Sequence, residues 1–276
     1  MASIKIMING LPGNMAAEVT RMAYGDDDFD IIAASLTGPE ITQTETAINA
    51  SKIRLIQPDM RDAALVELIA EHGPFICVDY THPSAVNANA ELYCRHRLPF
   101  VMGTTGGERE QMLETVRRSP VAAVIAPNMA KPIVGLQAMM AYAADHFPGL
   151  FDGYNLDVTE SHQAGKADTS GTAKAMVAYF NRLGVPFSAE EIIKVRDPLE
   201  QQQRLGVPET HLEGHGWHTY RLTSADETVA IGFMHNVNGR RVYAAGTLDA
   251  VRFLAQKIPQ NESGIVFDMI DVLKGV

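Results

Sequence analysis

The first 125 residues alternate short apolar runs with longer amphipathic ones, and this alternation restricts the chain more than any other feature. Apolar runs at 4–8, 30–34, 75–80, 100–102 and 121–125 are too short for helices and continuous enough for strands buried on both faces. Between them, 61–71, 84–96 and 108–118 carry apolar residues at helical spacing with polar opposite faces. Strands and helices in turn imply a parallel sheet wound on both sides, because parallel neighbours need a crossover and the crossover is right-handed.

From about residue 131 the pattern changes. A helix is expected at 134–146, then a strand ending at Glu160 and a helix beginning near Ser170. The runs 216–224, 228–236 and 241–245 alternate apolar and polar residues, as antiparallel strands with one solvated face do. The stretches 248–258 and 264–273 return to a helical pattern and are expected to pack back on the first domain. Two domains follow, 1–129 plus 247–276 and 130–246, and 276 residues with 46% hydrophobic content can bury the cores of both.

The formal net charge of −10 argues against a polyanion binder, since nucleic-acid affinity rests on clustered Lys and Arg. An anionic ligand must be captured by a local positive site. Cys77 and Cys94 form no CxxC pair and read as buried small apolar residues in a reducing compartment. The start, Met1-Ala2-Ser3-Ile4-Lys5, has neither a signal-peptide nor a transit-segment pattern, and no run approaches the ~18 apolar residues of a membrane span. A cytoplasmic protein is expected, with a processed plastid protein the alternative. His211, His215 and His218 are close in sequence but lack the spacing of a metal motif, so no metal is expected. Asp26-Asp27-Asp28 reads as a solvated turn, and Met129, Met139 and Met140 as packing residues.

Directly after the first strand, Gly10, Pro12, Gly13, Asn14 and Met15 form a tight turn that opens a helix. Such a turn brings backbone N–H groups to a pyrophosphate, where the helix dipole favours negative charge. GxxGxM matches the GxGxxG fingerprint only in part, and the same residues also suit an ordinary strand-to-helix connection. The second strand ends at Ser35-Leu36-Thr37-Gly38, with no acid before Glu40 to accept from a ribose 2′-hydroxyl. Ser35 and Thr37 could instead donate to a 2′-phosphate, which favours NADPH and leaves NADH open. Thr81 in Asp79-Tyr80-Thr81, Gly103 and Thr105, and Pro127-Asn128-Met129 follow later strands, where open α/β sheets bind ligands.

The most informative run is Glu160-Ser161-His162-Gln163-Ala164-Gly165-Lys166-Ala167-Asp168-Thr169-Ser170-Gly171-Thr172. His162 can titrate near neutral pH, and Lys166 supplies a positive charge or a transferable proton. Ser170, Gly171 and Thr172 open a helix whose hydroxyls and free N–H groups suit a carboxylate. The same run also reads as a strand, a loop and an ordinary capped helix.

This segment resembles the ExHHxxKxDxPSGTA signature of dihydrodipicolinate reductases, and the resemblance extends over nearly the whole chain. The GxxGxM turn, Asp79-Tyr80-Thr81, Gly103-Thr104-Thr105-Gly106, Asn128-Met129 and the closing Phe267-Asp268-Met269 fall in the family's order. The SHQxxKxDxSGTAKA form and the run from Glu213 to Tyr220 are closest to the plant-type branch. The resemblance implies an α/β fold, a Rossmann-type doubly wound parallel sheet carrying the dinucleotide, and a second α+β domain for substrate binding and oligomerisation. It implies NAD(P)H-dependent reduction of a small dicarboxylate in lysine biosynthesis, by a homo-oligomer, tetramer or dimer. His162 and Lys166 would be the acid/base pair, with Lys166 the donor. Gln163, Ser170, Gly171, Thr172 and Arg240 would lie at the substrate, with Tyr243 near the cleft. Gln163 stands where the bacterial signature has a second histidine, and Ala16 where a glycine is usual. Another NAD(P)-dependent amino- or imino-acid dehydrogenase, and a cofactor-sensing homologue without turnover, are the competing expectations.

Overall fold

The computed structural model describes residues 3–258 and 264–275; Met1 and Ala2, on which the targeting expectation partly rests, lie outside them. The chain divides into two compact units, 1–131 with 241–276, and 132–240.

In the first unit, β1 (Ile4–Asn9) leads into α1 (Asn14–Tyr24), β2 (Phe29–Ile31) and β3 (Ala34–Leu36). Next come β4 (Glu45–Ile48), β5 (Ser51–Ile56), α2 (Arg61–His72), β6 (Ile76–Asp79), α3 (Val86–Arg95), β7 (Phe100–Met102), α4 (Arg109–Arg117) and β8 (Ala123–Ile125). The helix α5 (Lys131–His146) crosses into the second unit. That unit continues with β9 (Asn155–His162), α6 (Gly171–Arg182), β10 (Ile193–Val195), the one-turn α7 (Pro198–Glu200), β11 (His215–Thr223) and β12 (Ala230–Asn238). The chain then returns to the first unit with α8 (Arg241–Lys257), β13 (Val266–Phe267) and α9 (Met269–Lys274).

Six parallel strands in the order β13-β8-β7-β6-β1-β2 make the main sheet of the first unit, the Rossmann-type arrangement expected from the alternation. Their short runs are apolar throughout because helices cover both faces: Met7, Cys77, Phe100 and Ala123 share one core with residues of α3 and α4. The expected strand at 30–34 is two strands in different sheets, since the chain leaves β1 after Ile31 and pairs β3 with β5 instead. The hairpin of β4 and β5 carries no Asn-Gly signal; its turn uses Asn49 and Ala50, both at positive φ.

The second unit holds a four-stranded sheet, β10-β9-β11-β12, covered on one face by α6. Here the expectation at 241–245 fails. Those residues open α8, whose buried set Ala244, Leu248, Val251 and Leu254 has helical spacing, and five residues of alternation were too short a window to exclude a helix. The helical expectation at 264–273 is likewise corrected: β13 extends the main sheet before α9 begins behind the Asp268 cap.

Candidate active site

In the first unit the carboxyl ends of β1 and β6 and the segment after β3 surround a cavity of about 360 Å³. Gly10, Pro12, Gly13, Asn14, Thr37 and Thr81 all line it. Gly10 has φ of 107°, and a Cβ there would stand 2.2 Å from the Tyr80 carbonyl oxygen, so only glycine lets the turn pass this close to β6. Gly13 caps α1 without any side-chain hydrogen bond, and the first turn has no acidic residue. These N–H groups therefore remain available to an anion.

A buried carboxylate organises the neighbouring loops. Asp79, fully buried, accepts from Tyr93 Oη (2.7 Å), Asn89 Nδ2 (2.9 Å), the Thr81 N–H and hydroxyl (3.0 and 2.7 Å) and Thr104 Oγ1 (2.8 Å). Asp79 forms no ion pair among the described residues, and these five donors replace its hydration. Gly103 faces the Tyr80 ring, which a Cβ would meet at 2.4 Å.

Other residues expected at the cofactor lie outside that cavity's lining: Met15, Ser35, Gly103, Thr105, Pro127, Asn128 and Met129. Ser35 and Thr37 need correction. Both are buried; Ser35 Oγ accepts from the Leu11 N–H (3.1 Å) and Thr37 Oγ1 donates to the Leu11 carbonyl (2.9 Å). Their hydroxyls hold the turn in place and are not free for a 2′-phosphate. Glu40 lines the cavity beside Gly38. Thr105 is exposed, and Thr104 makes the structural bond instead. Asn128 caps the next segment through the Ala130 N–H (2.9 Å), and Met129 is buried, its carbonyl so close to Gly246 that no side chain fits there.

In the second unit, β9 delivers Glu160 and His162 to one face of the sheet and a loop leads on to Lys166 and Ser170. Glu160 is fully buried, ion-paired with Arg196 and bonded to the Ser170 N–H (3.0 Å). Arg196, just past β10, also donates to the Lys166 carbonyl (2.7 Å), so one guanidinium ties the end of β9 to the middle of the loop. Gln201 Nε2 donates to the His162 carbonyl (2.7 Å). His162 Nδ1 lies 3.1 Å from the His215 carbonyl, and its ring occupies the space left by Gly216, where a Cβ would sit 3.0 Å from Cε1.

Burial holds the imidazole of His162 below its usual pKa, with Arg196 and Lys166 acting the same way and Glu160 opposing them. Burial likewise lowers His218 to about 2 and His235 to about 4. Glu160, His162 and His218 bring possible metal ligands within 4.8 Å of one another. Yet Arg196 and the Ser170 N–H already compensate the carboxylate, and the cations Arg196 and Lys166 oppose a further one.

Lys166 and Arg240 form no side-chain hydrogen bond or ion pair among the described residues, so both charges remain uncommitted. Arg240, just past the end of β12, brings Nη1 towards Gly214, which directly precedes β11. Ser170 caps α6, accepting from the Thr172 N–H (3.2 Å), and a Cβ at Gly171 would meet open space. Gln163 is half-buried at the start of the loop. The helix terminus and the Lys166 ammonium belong to one segment that a single carboxylate-bearing ligand could use.

A parallel α/β unit with an uncapped helix at its Gly-containing turn, and a second unit with a histidine, an uncommitted lysine and a Ser-capped helix N-terminus, are the layout of a Rossmann-type oxidoreductase. Family models described as dihydrodipicolinate reductase N-terminus and C-terminus match residues 4–129 and 133–273. The chain belongs to the dihydrodipicolinate reductase family. It is 46% identical to the 4-hydroxy-tetrahydrodipicolinate reductase 1, chloroplastic, of Arabidopsis thaliana over 98% of this chain and 78% of that one. It is 29% identical to the 4-hydroxy-tetrahydrodipicolinate reductase of Methanothermobacter thermautotrophicus over 98% of each chain. A dipicolinate-bound dihydrodipicolinate reductase from Paenisporosarcina sp. TG-14 shares the fold with a TM-score of 0.67 at 18% identity, covering 98% of this chain and 99% of that one. Among the described residues, no helix is long and apolar enough to cross a membrane.

Proposed function

We propose that the protein reduces 4-hydroxy-tetrahydrodipicolinate to tetrahydrodipicolinate with NAD(P)H, in the diaminopimelate route to lysine. The observation that carries this is the segment 160–172, in which Lys166 stands uncommitted between a clamped histidine and the Ser170-capped start of α6. The first unit is the dinucleotide domain and the second the substrate and oligomerisation domain. Gly10, Pro12, Gly13, Asn14 and Met15 hold the pyrophosphate end of the nucleotide, where uncapped N–H groups and the helix dipole favour it. A nicotinamide nucleotide held there would supply the hydride.

The α6 terminus, with the Ser170 and Thr172 hydroxyls and the Gly171 N–H, takes one substrate carboxylate, and Gln163 and Arg240 serve the remaining polar groups. The Paenisporosarcina neighbour's bound dipicolinate is a dicarboxylate of the same class. Lys166 donates the proton that accompanies the hydride, and His162 orients the segment. Net, substrate, NAD(P)H and a proton give product, NAD(P)⁺ and water. The uncommitted Lys166 ammonium, close enough to His162 to act on its ring, supplies positive charge where the substrate's charges must be held.

NADPH selectivity loses the support it drew from Ser35 and Thr37, whose hydroxyls are engaged, while Glu40 brings a carboxylate to the cavity. Use of both nucleotides follows. The edge strand β12, with Ile231, Phe233, Met234 and Val237 exposed or half-buried, supports a homo-oligomer, tetramer or dimer. Two buried, unpaired cysteines fit a reducing compartment such as the cytoplasm.

The testing experiment mixes the purified protein with dihydrodipicolinate synthase, pyruvate, aspartate semialdehyde and either NADH or NADPH. Oxidation of both nucleotides that depends on the synthase is expected. Bound cofactor without oxidation would leave a sensor or a different substrate.

A further inference from the structure

The active-site histidine has no nitrogen left over. Nδ1 of His162 faces the His215 carbonyl at 3.1 Å, and a carbonyl only accepts, so Nδ1 carries the proton. In the neutral ring Nε2 is then a lone pair. The group facing it is Nε2 of His218, at 3.4 Å, with the rings edge to face. That contact is a hydrogen bond only if His218 is the donor, which places the His218 proton on Nε2 and leaves its Nδ1 as the lone-pair end, buried without a partner.

The backbone holds His218 in this position. It stands between Glu160 of β9 and His235 of β12 in the strand register, is 4% exposed, and stacks on the His235 ring at 4.5 Å. Glu160 Oε2 lies 3.9 Å from its Nε2, outside hydrogen-bond range but close enough to favour a proton on that nitrogen.

We infer that His218 is a positioning residue for the reductase reaction: its Nε2–H fixes His162 as the Nδ1–H tautomer and holds its ring in the Gly216 notch. His162 thereby acts as an anchored neutral imidazole beside the catalytic loop, and proton donation falls to Lys166. This rests on the proposed role of the segment 160–172.

Two substitutions separate a donor from a filler. His218→Phe keeps a ring to stack on His235 but removes the N–H; His218→Gln returns an N–H donor near the Nε2 position. In the synthase-coupled assay His218→Phe is expected to lose at least about tenfold in kcat with cofactor KM unchanged, and His218→Gln to stay within about threefold of the parent. Parent-like turnover in His218→Phe, or an equal loss in both variants, overturns the inference. His162→Gln in the same assay tests the underlying proposal: if it turns over like the parent, the role given to His162 fails, whereas slow His162→Gln with fast His218→Phe removes His218 alone. Should His218→Phe not fold, imidazole ¹⁵N spectra of the full-length parent decide, with His162 signals identified by their loss in His162→Gln. A protonated Nδ1 on His162 is expected; a protonated Nε2 overturns the inference.

Discussion

At the scale of single residues, the proposed catalytic segment is held by charges and shapes that come from elsewhere in the chain. Glu160 is buried because it lies on the covered face of β9, and Arg196 makes that burial tolerable. Removing one partner of such a pair strands the other charge, at a typical cost of about 3–5 kcal/mol, whereas removing both is far cheaper. Arg196→Met is therefore expected to lower unfolding stability by about 3 kcal/mol in urea titration, and Glu160→Gln added to it to recover a good part of the loss. An additive double variant would mean the pair is not coupled. His162, Lys166, Ser170, Gly171 and Thr172 were open to nomination from the sequence because they lie in one contiguous run whose chemistry can be read in order. Arg196, Gln201 and His218 were not, since they stand 36, 39 and 56 residues from their partners and only strand pairing brings them there. A buried Glu in the motif does call for a counter-charge, but does not say which one.

At the scale of elements, two glycines in similar loop-to-helix positions have opposite requirements. Gly10 has positive φ and a carbonyl oxygen where its Cβ would be, so the end of β1 and the loop after β6 can meet only without a side chain. Gly171 opens α6 into free space. Gly10→Ala is expected to cost more than about 1 kcal/mol of stability and to weaken nucleotide binding, and Gly171→Ala to leave the melting temperature unchanged or raised. Calorimetry with and without nucleotide checks both; a Gly10→Ala protein as stable as the parent would mean that the turn relaxes. The parallel strands β1, β6, β7 and β8 were legible because burial on both faces makes them continuous apolar runs, whereas the two-residue, half-buried β13 was not. Less so were β4 and β5, half-exposed and joined by Asn49-Ala50, and the start of α8, where a few residues of Arg241-Val242-Tyr243-Ala244-Ala245 satisfy either period. The hydroxyls of Ser35 and Thr37 illustrate a further limit. Sequence placed them at the right strand end, but whether they face a ligand or their own backbone depends on the neighbouring turn.

For the whole molecule, the buried histidines make stability depend on acid. His218 and His235 titrate below their ordinary value of about 6.5 chiefly because burial disfavours the charged ring. Between that value and about 4, the unfolded chain takes up protons that native His235 refuses, so stability rises with pH across this window and is lost as pH falls through it. The melting temperature is expected to drop steadily from about pH 6.5 to 4, and less steeply in His235→Gln; identical slopes in the two proteins would show that His235 is not responsible. Above that window these rings stay neutral, consistent with the proposed role of Lys166 as the proton source. The most direct test of this claim is kcat of Lys166→Ala beside the parent in the synthase-coupled assay, with nucleotide affinity measured separately by fluorescence titration. A loss of about a hundredfold or more in kcat at unchanged nucleotide affinity is the expected result, and turnover equal to the parent's would contradict it.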